Sequence, residues 1–181
     1  MSLEQKINNL ETDLHIMGTL VLDSLVGAVR ALEDKDTLKA SEVMDKDDEI
    51  DDAYMKIDQD WFELMATEQP VASDLRLSTS ILQASLHLER LGDLSVYLGK
   101  TTHEIHDLPI PESLHKIVVE MGDMVIDMAS SALESLKNRD AELALSTARK
   151  DELINSLYNK MLNEVPNISG NKDLYLSLIH I

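Results

Sequence analysis

The sequence predicts an all-α fold: two tandem three-helix bundles related by an internal pseudo-twofold repeat, the second bundle incomplete. Three observations point there. Apolar residues recur at spacings of three and four over long stretches, which is the mark of one buried helical face. Leu, Ala, Met, Asp, Glu and Lys dominate while aromatics make up only 3% of the 181 residues, a mix that favours helices over strands. The chain also aligns on itself without a gap at a shift of 104 residues, as from Asp47 to Asp151.

The first helix is expected from Leu3 to Glu33, with Leu10, Leu14, Met17, Val21, Leu25, Ala28 and Leu32 on one stripe. The segment Asp34–Asp36 breaks it. A second helix follows from Asp36 to Ala66, carrying Ile50, Tyr54, Ile57, Trp61 and Leu64. Thr67–Ser73 reads as a turn and helix start, with Pro70 at the first helical position, where a missing N–H does no harm. The third helix is expected from Ser73 to Glu104, with Leu75, Ile81, Leu86, Leu91, Leu94 and Leu98 inward. The linker is HDLPIPES, residues 106–113, with two prolines. Beyond it the pattern restarts, with helices from Glu112 to Lys137 and from Asp140 to Val165. Pro166, Ser169 and Gly170 form a loop, and a sixth helix is barely begun near Asn171. The units therefore span residues 1–106 and 107–175. Residues 176–181, LSLIHI, match one reading frame of a common sequencing-library adapter and read as a non-native tail. A native stop codon directly after Ile181 would contradict that reading.

The repeat pairs residues of every type. Leu10 meets Leu114, Met17 meets Met121, Gly18 meets Gly122, and Asp23 meets Asp127. Ala28 meets Ala132, Leu32 meets Leu136, Asp36 meets Asp140, and Tyr54 meets Tyr158. Two unrelated amphipathic helices could share leucines by coincidence, but not paired glycines and aspartates as well. The third helix of the second unit is missing, so apolar faces left open should make the chain unstable or self-associating.

Charge narrows the function. Acidic residues number 34 against 16 basic ones, a formal net charge of −18. There is no Lys/Arg run to meet phosphates, so nucleic-acid binding is not expected. A bare anionic membrane would repel the surface, and a basic protein patch or a cation suits it better. The chain has no Cys, which excludes disulfides and thiolate metal sites and fits a cytoplasmic location. MSLEQKINNLE lacks the apolar core of a signal peptide. No apolar run approaches the roughly 20 residues that a membrane span needs.

Two motifs could carry chemistry. In Asp47–Asp48–Glu49–Ile50–Asp51, Asp47 and Asp51 lie four apart, which puts both carboxylates on one helix face, about 6 Å apart at Cβ. Like charges at that spacing repel, and a cation between them reverses the sign. A solvated acidic face is the plainer account of this motif alone. In Leu88–Glu89–Arg90–Leu91–Gly92–Asp93–Leu94, Glu89 and Asp93 repeat the spacing inside a leucine-rich stretch, where buried carboxylates need a partner. Arg90 could supply it. Gly92 costs a helix about 1 kcal/mol relative to Ala, tolerable where two backbones must approach. Two such pairs facing each other across adjacent helices would present four hard oxygen ligands.

Di-metal carboxylate bundles add Glu-x-x-His motifs, of which this chain has one, Glu112–His115, read as capping and surface chemistry. His15 and His87 have no ligand-spaced partner. Asp74 and Arg76, opening the third helix, suit N-terminal charge pairing and a salt bridge. Nothing resembles a nucleophile elbow, a P-loop or a dinucleotide fingerprint, so an enzyme is not expected.

At these residues the chain resembles the PhoU family of phosphate-signalling proteins. The resemblance is carried by QPVASDLRLSTSILQASLHLERLGDLSVYLGK (69–100), by DKDDEIDDAYMKI (45–57), and by KDELINSLYNKM (150–161) as its second copy. It implies a cytoplasmic, often dimeric regulator acting with a phosphate ABC transporter, including its ATPase, and a sensor histidine kinase. It also implies metal ions (iron, zinc, manganese or magnesium) at (Glu/Asp)-x-x-x-Asp motifs. Those carry to Asp47 and Asp51, to Glu89 and Asp93, and in the second copy to Asp151, where Asn155 replaces the other carboxylate. The other readings are a carboxylate-bundle metalloprotein, for storage or di-metal chemistry, and a metal-free helical adaptor.

Overall fold

The structure, a computed structural model, describes residues 1–164. The predicted loop at 166–170, the sixth helix and the tail 176–181 lie outside those residues. Among the described residues every regular element is helical: α1 (Leu3–Asp34), α2 (Thr37–Met44), α3 (Asp47–Glu68), α4 (Ala72–Ile105), α5 (Glu112–Asn138), α6 (Ala141–Arg149) and α7 (Asp151–Glu164).

The first helix follows its pattern closely. Ser2 caps it in a reciprocal capping box with Gln5, and all seven stripe residues from Leu10 to Leu32 are buried. Lys35, in a left-handed conformation at φ 53°, ends α1, and Asp36 caps α2 through the N–H groups of Leu38 and Lys39. The second copy repeats this elbow bond for bond. Arg139, also at φ 53°, ends α5, and Asp140 accepts from Glu142 and Leu143. The amide of Asp36 reaches the Ala31 carbonyl at 2.8 Å, and Asp140 reaches Ser135 at the same distance.

Three expectations need correcting. The predicted second helix is two helices, broken at Asp45–Lys46, and the predicted fifth breaks at Lys150 in the same register. The break turns the chain from α2, which packs on the C-terminal half of α4, into α3, which packs along α1 and α4. Pro70 is not the first helical residue: left-handed Gln69 ends α3, Pro70 is buried in the connector, and α4 begins at Ala72. In α4 the leucines Leu75, Leu86 and Leu94 are exposed, and the buried face is built from small residues. Ser78, Ser85, Gly92 and Gly99 follow each other at steps of seven, with Ile81, Leu88, Ser95 and Thr102 beside them. Small residues on that face let α1, α2 and α3 approach closely.

α1 is also more apolar than expected. It holds an 18-residue window of mean hydropathy 1.4, half of it buried, which is long and apolar enough to cross a membrane by length and composition. Between Leu14 and Val29 the only Asp, Glu, Lys or Arg is Asp23. The buried half of that stretch serves the core.

The two copies meet along α1 and α5, which run antiparallel, and the contact is reciprocal. A Cβ added to Gly18 would stand 2.8 Å from both Leu133 methyls, and one added to Gly122 would stand 2.7 Å from a Val29 methyl. Val29 and Leu133 are themselves repeat partners, as are Gly18 and Gly122, so the contact obeys the pseudo-twofold axis. Arg30 with Asp123 (3.1 Å) and Arg139 with Glu11 (3.4 Å) tie its flanks. One hydrophobic cluster accordingly joins Ala28, Val29 and Leu32 of α1 with Leu98 and Ile105 of α4, Leu114 and Ile117 of α5, and Met161 of α7. The other holds the N-terminal half of α1 with Ile50, Ile57, Leu64, Ile81 and Leu88.

Candidate functional site

The helix break places the first acidic motif. Because α3 starts at Asp47, the residues Asp47, Asp48 and Glu49 fill its first turn, where free N–H groups and the helix dipole favour negative charge. Asp47 and Asp51 then lie along the seam with α4, where Glu89 and Asp93 answer them. The structure brings together these four residues, which the sequence held in two separate motifs. Asp47, Asp51 and Glu89 are half-buried and Asp93 is exposed.

Their proximity shows in proton affinity. Burial first, and then the charges of Asp51, Asp93 and Asp48, hold the Asp47 carboxyl above its ordinary 3.8, with Lys100 opposing. Burial, then Asp93, Asp51 and Asp47, likewise raise Glu89 above 4.5, against the pull of Arg90. Arg90 does not pair with Glu89. Among the described residues none of the four carboxylates takes part in a hydrogen bond or ion pair, and the buried Oδ1 of Asp47 has no partner at all. Lys100 escaped the sequence reading, although it lies one heptad beyond Asp93 on α4 and so shares its face.

An orphaned, buried carboxylate oxygen inside a group of repelling acids fits a hard cation, which favours oxygen ligands. The ligand set is open rather than closed. Among the described residues no three His, Asp or Glu side chains converge tightly enough to hold a metal ion.

The other candidates fall elsewhere. Asp151, at the start of α7, is exposed, and Asn155 donates to it at 2.8 Å, so the second copy satisfies its carboxylate internally. Glu112 pairs with Lys116 at 2.5 Å, which lowers its pKa, while the His115 ring meets the Glu33 carbonyl at 3.0 Å. Glu112 and His115 thus serve different partners, as capping and surface chemistry require. Arg76 is exposed and has no ion pair among the described residues, contrary to expectation.

The sign of the pH dependence follows from the raised carboxyls. Glu89 binds its proton more tightly folded than unfolded, so its contribution to stability falls as pH rises above 4.5 through the raised folded value. Without divalent metal, Glu89→Gln should therefore be more stable than the parent at pH 7.5, by about 0.2–0.5 kcal/mol per relieved pair. The advantage should shrink as pH falls toward 4.5. Glu89 is the informative choice because it lies far from the helix ends, where no dipole benefit is lost. Urea unfolding in chelator at several pH values measures it, and an advantage that does not change with pH would remove the repulsion argument.

These features define an internally duplicated, acidic helical-bundle protein that presents carboxylates along the seam between two helices. The PhoU domain model matches residues 14–102 and 118–180, and the chain belongs to the PhoU family. It is 32% identical over 169 residues to a phosphate-specific transport system accessory protein PhoU homolog of Clostridium acetobutylicum, covering 91% of this chain and 75% of that protein. A homolog of the same description from Pseudomonas putida is also 32% identical, over 88% of this chain, which spans only 62% of its length. The crystal structure of PhoU from Pseudomonas aeruginosa superposes with a TM-score of 0.91 at 28% identity, covering 99% of this chain and 89% of that one.

Proposed function

We propose that this chain is a cytoplasmic, dimeric regulator of phosphate uptake and of phosphate-starvation signalling. It acts through protein contacts with a phosphate ABC transporter, including its ATPase, and with a sensor histidine kinase. Its relatives' description as accessory proteins of phosphate-specific transport supports the transport link. The acidic surface, at a net charge of −18, suits basic patches on such partners.

One observation carries the local part of the reading: the partnerless Oδ1 of Asp47 among the charges of Asp51, Glu89 and Asp93. Asp47 and Asp51 from α3, with Glu89 and Asp93 from α4, would hold a metal ion. Bound there, the ion neutralises their repulsion and fastens the two helices. Asp151 is the weakest of the predicted ligands, since Asn155 already occupies it.

The test is elemental mass spectrometry on protein purified without chelator or an affinity metal column. Iron, zinc, manganese or magnesium is expected at about one or more ions per chain, and is expected to vanish in Asp47→Asn/Asp51→Asn/Glu89→Gln/Asp93→Asn. No metal in either protein would favour a metal-free helical adaptor, a reading to which the open geometry of the carboxylates already gives some support. For the partner contacts, the purified transporter ATPase and the kinase sensor region should each bind the immobilised chain, and binding by neither would end the proposal.

A further inference from the structure

The outer edge of the α3–α4 seam carries apolar side chains that the core does not use. On α3, Asp51, Met55, Asp58, Phe62 and Met65 follow one another at alternating steps of four and three, which is one side of a helix. On α4, Leu75, Thr79, Leu82, Leu86, Glu89 and Asp93 do the same. Both stripes border one seam, because Glu89 lies within reach of the Asp51 charge and Gly92 of α4 packs on Ile50 of α3. The helices run antiparallel from that contact, which sets Met55 level with Leu86 and Phe62 level with the turn between Thr79 and Leu82. Each stripe mixes half-buried and exposed residues, as the walls of a shallow groove do. Phe62 is 62% exposed and Met55 56%, and Leu75 and Leu86 are exposed across from them. Phe62 stands edge-on to Trp61, with ring centres 5.5 Å apart at 80°. These are the only Phe and the only Trp in the chain, and the core employs just one of them, in part.

We propose that this groove is the docking site for an amphipathic, basic helix of a partner protein. The inference deepens the reading that the chain acts through protein contacts, by naming the surface and the chemistry of what it meets. Charge selects the partner. Asp51, Asp58, Glu89 and Asp93 lie on the same stripes as the apolar residues, and among the described residues their side chains make no hydrogen bond or ion pair. Neither stripe holds a Lys or Arg between its first and last residue, and the nearest, Arg90 and Lys100, sit beside and beyond the acidic end. A helix with apolar residues at i, i+3 or i+4, and i+7 can lay that face between Phe62 and Leu86. Lys or Arg flanking the face then meet the free carboxylates in charge-assisted hydrogen bonds. From Leu75 to Asp93 the groove runs about 27 Å, room for about five helical turns. A second copy of this chain would bring the same acids and another net charge of −18, and an anionic lipid surface would be repelled.

The experiment titrates the full chain, in chelator, with a synthetic helical peptide of Leu and Lys that places Leu on one face and Lys on the other. Trp61, beside Phe62, reports binding through its fluorescence, and sedimentation gives the oligomeric state. The peptide should bind about tenfold or more tightly than a scrambled peptide of the same composition, which has no apolar face. Phe62→Gln/Leu86→Gln should weaken binding by about tenfold or more, the loss expected of anchor residues. Both residues are exposed, so the melt should hardly move. Leu145→Gln/Leu153→Gln removes exposed leucines from α6 and α7 and should leave the affinity as in the parent. No preference over the scrambled peptide, or equal affinity in the parent and the Phe62/Leu86 variant, would overturn the groove. So would a dimer of the parent that the Phe62/Leu86 variant loses, since a second copy would then be the occupant. The transporter ATPase and the kinase sensor region separate this inference from the reading it deepens. Equal binding of either to the parent and the Phe62/Leu86 variant would overturn the groove while protein contacts stand. Peptide binding that depends on Phe62 and Leu86 upholds the groove even where neither protein binds the parent, a result that ends only those two partners.

Discussion

Replacing Ile57 by Ala is expected to cost about 2–5 kcal/mol, while Met161→Ala, at the same position of the second repeat, should cost the lower end of that range or less. Ile57 is fully buried where α3 meets α1 and α4, in a cluster with Leu10, Leu14, Met17, Ile81 and Leu88. Removing its side chain leaves a hole walled on every side, and close-packed walls relax only in part. Met161 is almost as buried, at 2% exposure, but its surroundings differ. It borders an apolar hollow of about 390 Å³ between α1, α4, α5 and α7. The α7 residues lining that hollow are Ile154, Asn155, Tyr158 and Met161, the repeat partners of Ile50, Asp51, Tyr54 and Ile57. In the first repeat α4 covers those positions. The hollow beside Met161 leaves its neighbours room to move. Urea unfolding of the two variants measures the difference. Equal losses would mean that the second repeat is as tightly closed as the first.

Periodicity and repetition made the helices legible, because both report how residues face a core. The elbow at Asp36 and Asp140 was visible as a repeated Asp, and a side-chain cap needs only local chemistry. The break between α2 and α3 was not visible, since no Gly or Pro marks Asp45–Lys46. Its cause is tertiary, the need to pack first on one end of α4 and then along it. The inward face of α4 was misread for a related reason. Leu75, Leu86 and Leu94 gave the stronger hydrophobic signal, yet close approach selected Ser78, Ser85, Gly92 and Gly99. A heptad of small residues was the available clue. The four carboxylates were found as two i, i+4 pairs. Their placement along one seam, the isolation of the Asp47 oxygen and the opposing charge of Lys100 required the fold.

Gly122→Ala is expected to destabilise the chain by about 1–3 kcal/mol, and Gly18→Ala by clearly less, although the two glycines are equivalent in the repeat. Both changes gain roughly 1 kcal/mol of intrinsic helix propensity, so any net loss measures crowding. At Gly18 the added carbon meets the two end methyls of Leu133, which can swing to another rotamer. At Gly122 it meets Cγ2 and Cγ1 of Val29 at 2.7 and 2.9 Å, and a valine that is 1% exposed has no freedom at χ1 to withdraw them. The strain then passes to the α1–α5 contact itself. Val29→Ala/Gly122→Ala should recover stability relative to the sum of its single changes, giving a coupling of about 1 kcal/mol or more in a double-mutant cycle. No coupling would mean that the helices do not meet at these residues, and equal costs at both glycines would mean that side-chain stiffness is not what sets the price. Because α1 belongs to the first repeat and α5 to the second, this reciprocal contact fixes how the repeats face one another. It lies apart from the α3–α4 seam, so the Gly122 variant should keep that seam intact while holding its second repeat less firmly.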